Sequence, residues 1–369
     1  MPTHSPTGRN GRFMRVLVAP TAFKGTLGAG RVAEAMASGV RLSFPGARVH
    51  VRPLSDGGPG LLDALRGAAG PGIEEFDVAG PLGGVVRARI LWTEPGEAVL
   101  ESADACGLHL MAPSGRDPLR ADTRGVGELV RRCLDRGARR VTIGLGGSGT
   151  VDGGTGLARG FGFRFLDGDG RDLPPGGGAL EALERILPGR APTARIVALA
   201  DVRTPLCGPA GAARTFGPQK GADPRAVGRL EGGLERLATC IEADLGLRVA
   251  ELPGGGAAGG LGAACAAFLS ADLVPGADWT MARTGFHAEV AQADLVVTGE
   301  GTWDGGSGLG KIVGRVVDEA LAAGARVLLA CGRVSGPVPE GVVAVDAAGA
   351  ELDEEGLADL VARSLRAAD

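Results

Sequence analysis

Basic charge is scarce in this chain of 369 residues: 39 lysines and arginines face 43 aspartates and glutamates, and the formal charge is −4. Without a cationic surplus a protein cannot hold a phosphate backbone by counterion release, so no nucleic-acid partner is expected, while a small anion in a local pocket remains open. Long apolar runs are missing too. The longest uncharged stretch, residues 252–271, is rich in glycine and alanine and carries a proline, unlike a Leu/Ile/Val-rich membrane span. The first thirteen residues lack the apolar core of a secretory signal, and they read as a disordered tail or as sequence upstream of a start at Met14.

Metal and thiol patterns are equally sparse. The six cysteines, Cys106, Cys133, Cys207, Cys240, Cys265 and Cys331, form no C-x-x-C, and the one histidine near any of them, His109 three residues after Cys106, has no second pair to complete a metal set. Neither a zinc site nor a disulfide framework is expected, and reduced thiols in a cytoplasmic protein are the reading. There is no H-E-x-x-H, and residues 146–150 (GGSGT) fail the last position of G-x-S-x-G. His109 and His287 read as surface or satisfied core residues.

Lysine is the scarcest charge: Lys24, Lys220 and Lys311 are the only three, against 36 arginines. Each has glycine beside it, and a compact ammonium in a glycine-rich loop is a usual point-charge partner of phosphate. Glycine itself is abundant, 66 residues, so a G-x-G-x-x-G pattern arises by chance on the order of twice and carries no weight alone.

The clusters gain meaning from where they fall. Strand-like runs at 15–20, 48–52, 139–145, 196–200, 294–298 and 326–330 alternate with helical stretches at 30–43, 61–69, 125–136 and 312–323. Residues 85–101, broken at Pro95-Gly96, read as an antiparallel pair. This alternation predicts an α/β fold with mainly parallel sheets, whose strand carboxyl ends and helix N-termini bind anions. Glycine-rich segments with an acid or a lysine alongside follow several of these strands: Lys24-Gly25, Asp56-Gly57-Gly58, residues 146–154 with Asp152, Asp201 followed by 217–221, residues 254–262, and 299–311 with Glu300 and Asp304. Gly305-x4-Gly310-Lys311 matches most of a Walker A loop, but Ile312 stands where Ser or Thr would bind Mg²⁺, so an ordinary P-loop NTPase is not expected.

Taken together, the motifs resemble the bacterial class I glycerate kinases. The likeness runs from about Met14 to the C-terminus through APTAFKGTLGA (19–29), PLSDGGPG (53–60), GLGGSGTVDGG (144–154), FLDGDG (165–170), DVRTPLCGPAGAARTFGPQKGA (201–222), PGGGAAGGLGAACAAFL (253–269) and DLVVTGEGTWDGGSGLGK (294–311). The chain differs from the family pattern at Thr21, Ala22, Pro59, Val151, Thr204, Thr302, Gly306 and Leu309, where charged or hydrogen-bonding groups are mostly lost. If the family arginine matched by Thr302 holds the acceptor's carboxylate, threonine cannot replace its charge.

The resemblance implies two α/β domains with a cleft between them, one Rossmann-like and built from both chain ends. The expected boundaries are a tail at 1–13, a discontinuous domain at 14–70 plus 285–369, and an inserted domain at 71–284. It implies ATP-dependent phosphorylation of a hydroxyl of D-glycerate or a related small hydroxy acid, with Mg²⁺ as cofactor and 2-phosphoglycerate as the typical product. Phosphoryl transfer requires positioning, charge neutralisation and a carboxylate near the attacking hydroxyl. The expected catalytic set is Lys24, Asp56, Asp152, Asp201 and Lys220. Gly147, Ser148, Gly259, Gly260, Gly299, Gly301 and Lys311 would cradle the nucleotide, with Glu300 and Asp304 on Mg²⁺. A homodimer is among the oligomeric states open to it. The alternative is a catalytically silent relative that binds a nucleotide or sugar acid as sensor or partner subunit.

Overall fold

The computed structural model describes residues 13–23, 26–66, 72–304, 311–347 and 352–368. Most of the expected tail, Lys24 and the 305–310 loop with Gly306 and Leu309 lie outside the described residues. From the N-terminus, β1 (Arg15–Val18), α1 (Ala29–Ser43) and β2 (Arg48–Val51) lead through α2 (Leu61–Leu65) to β3 (Gly72–Ala79), β4 (Val85–Glu94) and β5 (Glu97–Glu101). Then come α3 (Ala103–Cys106), α4 (Arg124–Asp135), β6 (Arg140–Gly144), α5 (Thr155–Arg159), β7 (Arg164–Leu166), β8 (Arg185–Leu187) and β9 (Arg195–Leu199). The helices α6 (Ala212–Phe216), α7 (Pro224–Leu245) and α8 (Ala257–Leu269) carry the chain to β10 (Asp272–Val274), α9 (Gly276–Thr284), α10 (Phe286–Val290), β11 (Leu295–Thr298) and β12 (Thr302–Trp303). It ends with α11 (Ile312–Ala322), β13 (Arg326–Cys331), β14 (Arg333–Val334), β15 (Val342–Asp346) and α12 (Glu354–Ala368).

The chain divides into two compact units, one made of Met1–Asp56, Asp63–Ala68 and Ala277–Asp369, the other of Gly57–Leu62 and Ala69–Gly276. The first unit is built on a five-stranded parallel sheet in the order β15-β13-β11-β1-β2. Its inner strands β1, β11 and β13 read as continuous apolar runs because both faces are covered. Val16 and Val18 of β1 and Leu295 and Val297 of β11 join Val32, Met36 and Val40 of α1 and Leu357 and Val361 of α12 in one core. The alternate residues, Leu17 and Val296, join Met281, Phe286, Val313, Val316 and Val317 in a second core on the opposite face. Read from the β2 edge, the order is the doubly wound 2-1-3-4-5 pattern, with its reversal point between β1 and β11.

The second unit has a six-stranded mixed sheet in the order β10-β9-β6-β5-β4-β3. β4 and β5 pair antiparallel, as the break at Pro95-Gly96 predicts, and β5, β6, β9 and β10 run parallel. The carboxyl ends of β5, β6 and β9 therefore lie at one edge and deliver Glu101, the glycine loop after Gly144, and Asp201 in neighbouring positions. A single core fills this unit, with Val141, Ile143, Leu237, Ile241, Leu261 and Phe268 among its fully buried members. No described helix is long and apolar enough to cross a membrane. All six cysteines are free thiols, five of them buried.

Candidate active site

In the first unit, the loops at the reversal point come together as the carboxyl-end rule requires. The Thr21 N–H donates to the Gly299 carbonyl at 3.0 Å, and the Thr298 hydroxyl donates to the Ala19 carbonyl at 2.7 Å. The segment that leads to Lys24 is thus stitched to the segment carrying Gly299, Glu300 and Gly301. Gly299 is required by space: a Cβ there would lie 1.7 Å from the Ala330 carbonyl oxygen. Backbone bonds from Gly332 to the Glu300 carbonyl at 3.3 Å and from Arg333 to the Gly301 carbonyl at 3.0 Å extend this tie to the loop after β13. Asp56, half-buried, ends the first stretch of this unit.

Lys311 occupies the N-cap of α11, and its ammonium lies 3.4 Å from the Asp304 carboxylate, both half-exposed. Ile312, the departure from Walker A, is 6% exposed and belongs to the core, so it offers nothing to a metal. Among the described residues no cluster of three or more His, Cys, Asp or Glu side chains can hold a metal by itself.

In the second unit the expected residues converge more tightly. Lys220, at the end of a 3₁₀ turn over Pro218–Lys220, is 2% exposed. Its Nζ donates to the Ser148 hydroxyl at 3.0 Å and to the Thr150 carbonyl at 2.8 Å. Burial pulls the Lys220 pKa down to about 8, and the Asp152 carboxylate is among the groups that oppose that fall. The loop that carries Ser148 is held from below: Gly147 accepts from the Leu108 N–H at 2.9 Å, and Gly149 donates to the Cys106 carbonyl at 2.7 Å.

Asp152 is fully buried, and its two oxygens take four donors: the Thr123 N–H and hydroxyl at 3.0 and 2.8 Å, and the N–H groups of Gly154 and Gly156, both at 3.1 Å. Burial, then the neighbouring Asp122, raises its pKa, while these donors oppose the rise. Gly259 and Gly260 lie in a left-handed kink within α8, with φ of 69° and 98°, and the Gly259 carbonyl accepts from the Gly153 N–H at 3.1 Å. That kink leans on the glycine loop. Asp201 stands exposed after β9, the strand adjacent to β6.

Other positions answer differently from their sequence neighbourhoods. Val151, a departure from the resembled pattern, is wholly inside the core. Thr204 contributes its carbonyl to the Gly256 N–H at 3.0 Å. His287 pairs with Glu319 at 2.8 Å on the surface, and His109 is exposed, in keeping with the surface reading of both. Sequence reasoning missed Glu101: it is 2% exposed, and its Oε1 accepts from the N–H groups of Gly60 and Leu62 at 3.1 and 2.9 Å. A lone Glu after a strand carries no motif, and only the fold shows what it touches.

Residues 16–352 match the model of the glycerate kinase family. The chain is 43% identical over 296 residues to a glycerate kinase of Bacillus subtilis (strain 168), covering 79% of this chain and 78% of that one. It is 39% identical over 306 residues to a glycerate 2-kinase of Escherichia coli (strain K12), covering 81% and 80%. A crystal structure from Salmonella typhimurium LT2, of a protein described as glycerate kinase 2, superposes with a TM-score of 0.82 at 36% identity over 97% of this chain and 98% of that one. This chain belongs to the glycerate kinase family, kinases that phosphorylate a hydroxyl acceptor.

Proposed function

We propose that the protein transfers the γ-phosphoryl group of ATP to the 2-hydroxyl of D-glycerate, giving 2-phosphoglycerate, in the cytoplasm. The observation that carries this reading is the buried Lys220 ammonium on Ser148 within a glycine loop, in a chain of this family. The glycerate 2-kinase named among its relatives supports the position of transfer.

The roles follow from the chemistry each group offers. Lys220, Lys311 and Lys24 supply positive charge for phosphate oxygens, and the backbone of Gly147, Ser148, Gly259, Gly260, Gly299 and Gly301 permits the nucleotide's close approach. Mg²⁺ prefers hard oxygen donors and keeps water and substrate phosphate in its shell, so two carboxylates suffice. Glu300 and Asp304 fit that donor set, and the ion would neutralise charge on the transferred group. Asp56 and Asp201 are the carboxylates we assign to orient and deprotonate the attacking hydroxyl. Asp152, expected in that role from sequence, we assign instead to holding the loop, because all four of its donors are protein groups and none of the residue is exposed.

Thr302 carries no charge for the acceptor's carboxylate. Its register partner across β12 and β14 is Arg333, exposed and bonded through its backbone to Gly301. We assign to Arg333 the capture of that carboxylate, which a guanidinium can grip with two parallel bonds. ADP release from Mg-ATP on addition of D-glycerate tests the reading; the absence of release with D-glycerate overturns it.

A further inference from the structure

Two of the glycine motifs interlock. The Gly57–Leu62 segment, which follows Asp56 in the chain, lies against the loop that leads from β6 to Ser148. The Gly146 N–H donates to the Gly57 carbonyl at 3.2 Å. The approach is close enough to demand glycine: a Cβ on Gly146 would stand 2.5 Å from the Gly58 Cα, and one on Gly147 would stand 2.5 Å from the Pro59 ring. Gly57 and Gly60, both with positive φ, give the segment a course that glycine adopts at no steric cost.

One side chain grips its second half. Glu101 Oε1 accepts from both Gly60 and Leu62, which fixes the second half of the segment and supplies the N-terminus of α2 with an acceptor. Its other oxygen, Oε2, lies 3.8 Å from the Arg89 guanidinium, which is itself held by Asp104 through Nε at 2.8 Å and Nη2 at 3.1 Å. A carboxyl is well suited here, since one oxygen takes two N–H donors while the other faces a cation. We propose that Glu101 is a positioning residue for phosphoryl transfer, holding the Gly57–Leu62 segment on the 144–147 loop so that Ser148 and the Lys220 ammonium on it keep their working geometry.

This proposal rests on the reading of Lys220 as a reacting group, and the test separates the two. Steady-state kinetics with Mg-ATP and D-glycerate, alongside thermal unfolding, would be measured for Glu101→Ala, Glu101→Gln, Glu101→Asp and Lys220→Met. A misplacement near 1 Å costs up to roughly 100-fold, so Glu101→Ala should lower kcat by about 10- to 100-fold while KM for ATP moves by less than about threefold. Glu101→Gln keeps an acceptor oxygen at the same reach and should restore kcat to within about threefold of the parent. If Glu101→Ala does not fold, Glu101→Asp replaces it: the carboxyl, shortened by one methylene, should give the same loss of kcat in a folded protein. Parental kcat in folded Glu101→Ala or Glu101→Asp, or a loss that Gln fails to rescue, overturns the proposal. Parental activity in Lys220→Met instead overturns the reading of Lys220, whatever Glu101 does.

Discussion

Lys220 is sealed beneath the glycine loop, with its ammonium 3.0 Å from the Ser148 hydroxyl. A buried lysine is rarely kept for stability, because removing an ammonium from water is costly unless something repays it. Two acceptors hold it here, a hydroxyl and a carbonyl, and neither is an anion. With the Asp152 carboxylate acting on it only through space, the arrangement suits an ammonium that also meets charge brought by the substrate. Lys220→Met should therefore fold and lose at least about 100-fold in kcat, as preorganised donors to developing charge typically do. Turnover within a few-fold of the parent would remove Lys220 from the chemistry.

The pH dependence of the same residue has a definite sign. Its folded pKa is near 8, below the ordinary 10.5, so between those values the unfolded chain binds the proton and the folded one does not. The penalty that the buried Lys220 places on stability therefore shrinks, and stability rises, as pH climbs across that window. Activity runs the other way, since only the ammonium carries charge, and kcat/KM should fall above about pH 8. Lys220→Arg, where it retains turnover, should lose that basic limb, because a guanidinium stays protonated. Profiles of kcat/KM from pH 6 to 10 for the two proteins check this.

Asp152→Asn should act on the fold first. The amide turns an N–H₂ toward donors that need an acceptor, and stability should fall by about 1–3 kcal/mol in urea unfolding. Unchanged stability together with abolished turnover would return Asp152 to the reacting groups.

Lys311 and Asp304 form an exposed pair, so their link contributes less than about 1 kcal/mol to stability. Lys311→Ala should keep the unfolding midpoint and lower kcat/KM for ATP by roughly 10- to 100-fold, the usual size of a lost bond to a charged group. Asp304→Asn should raise the Mg²⁺ concentration needed for half-maximal rate, read from a titration after chelation.

Arg333→Ala should raise KM for D-glycerate by roughly 10- to 100-fold and leave KM for ATP unchanged. Equal effects on both substrates would show that the guanidinium does not select the acid.

Most of the strands were legible because parallel strands covered on both faces are written as uninterrupted apolar runs, as at β1, β6, β11 and β13. The antiparallel turn at Pro95-Gly96 was legible from its turn residues. Less legible was α7, although Asp223 caps it, Pro224 follows and Gly246 closes it in the left-handed region. Glycines within its span blurred the helical period. The uncharged stretch at 252–271, rich in glycine and alanine, shows no helical period, yet Ala257–Leu269 within it folds as α8, with a kink that Gly259 and Gly260 allow. In the candidate site, lysine scarcity pointed to Lys220, but sequence could not separate the buried Lys220 from the exposed Lys311. Nor could it separate Asp152, enclosed by donors, from the exposed Asp201, because burial is a property of the assembled sheet edge and not of the motif.

The most direct measurement is ADP release by the purified protein from Mg-ATP with D-glycerate, L-glycerate and related hydroxy acids, with phosphorus NMR of the product. The account predicts turnover on D-glycerate and a phosphoryl group on the C2 oxygen. Binding of Mg-ATP with no transfer to any of these acids would contradict it and leave a nucleotide-binding relative without catalysis.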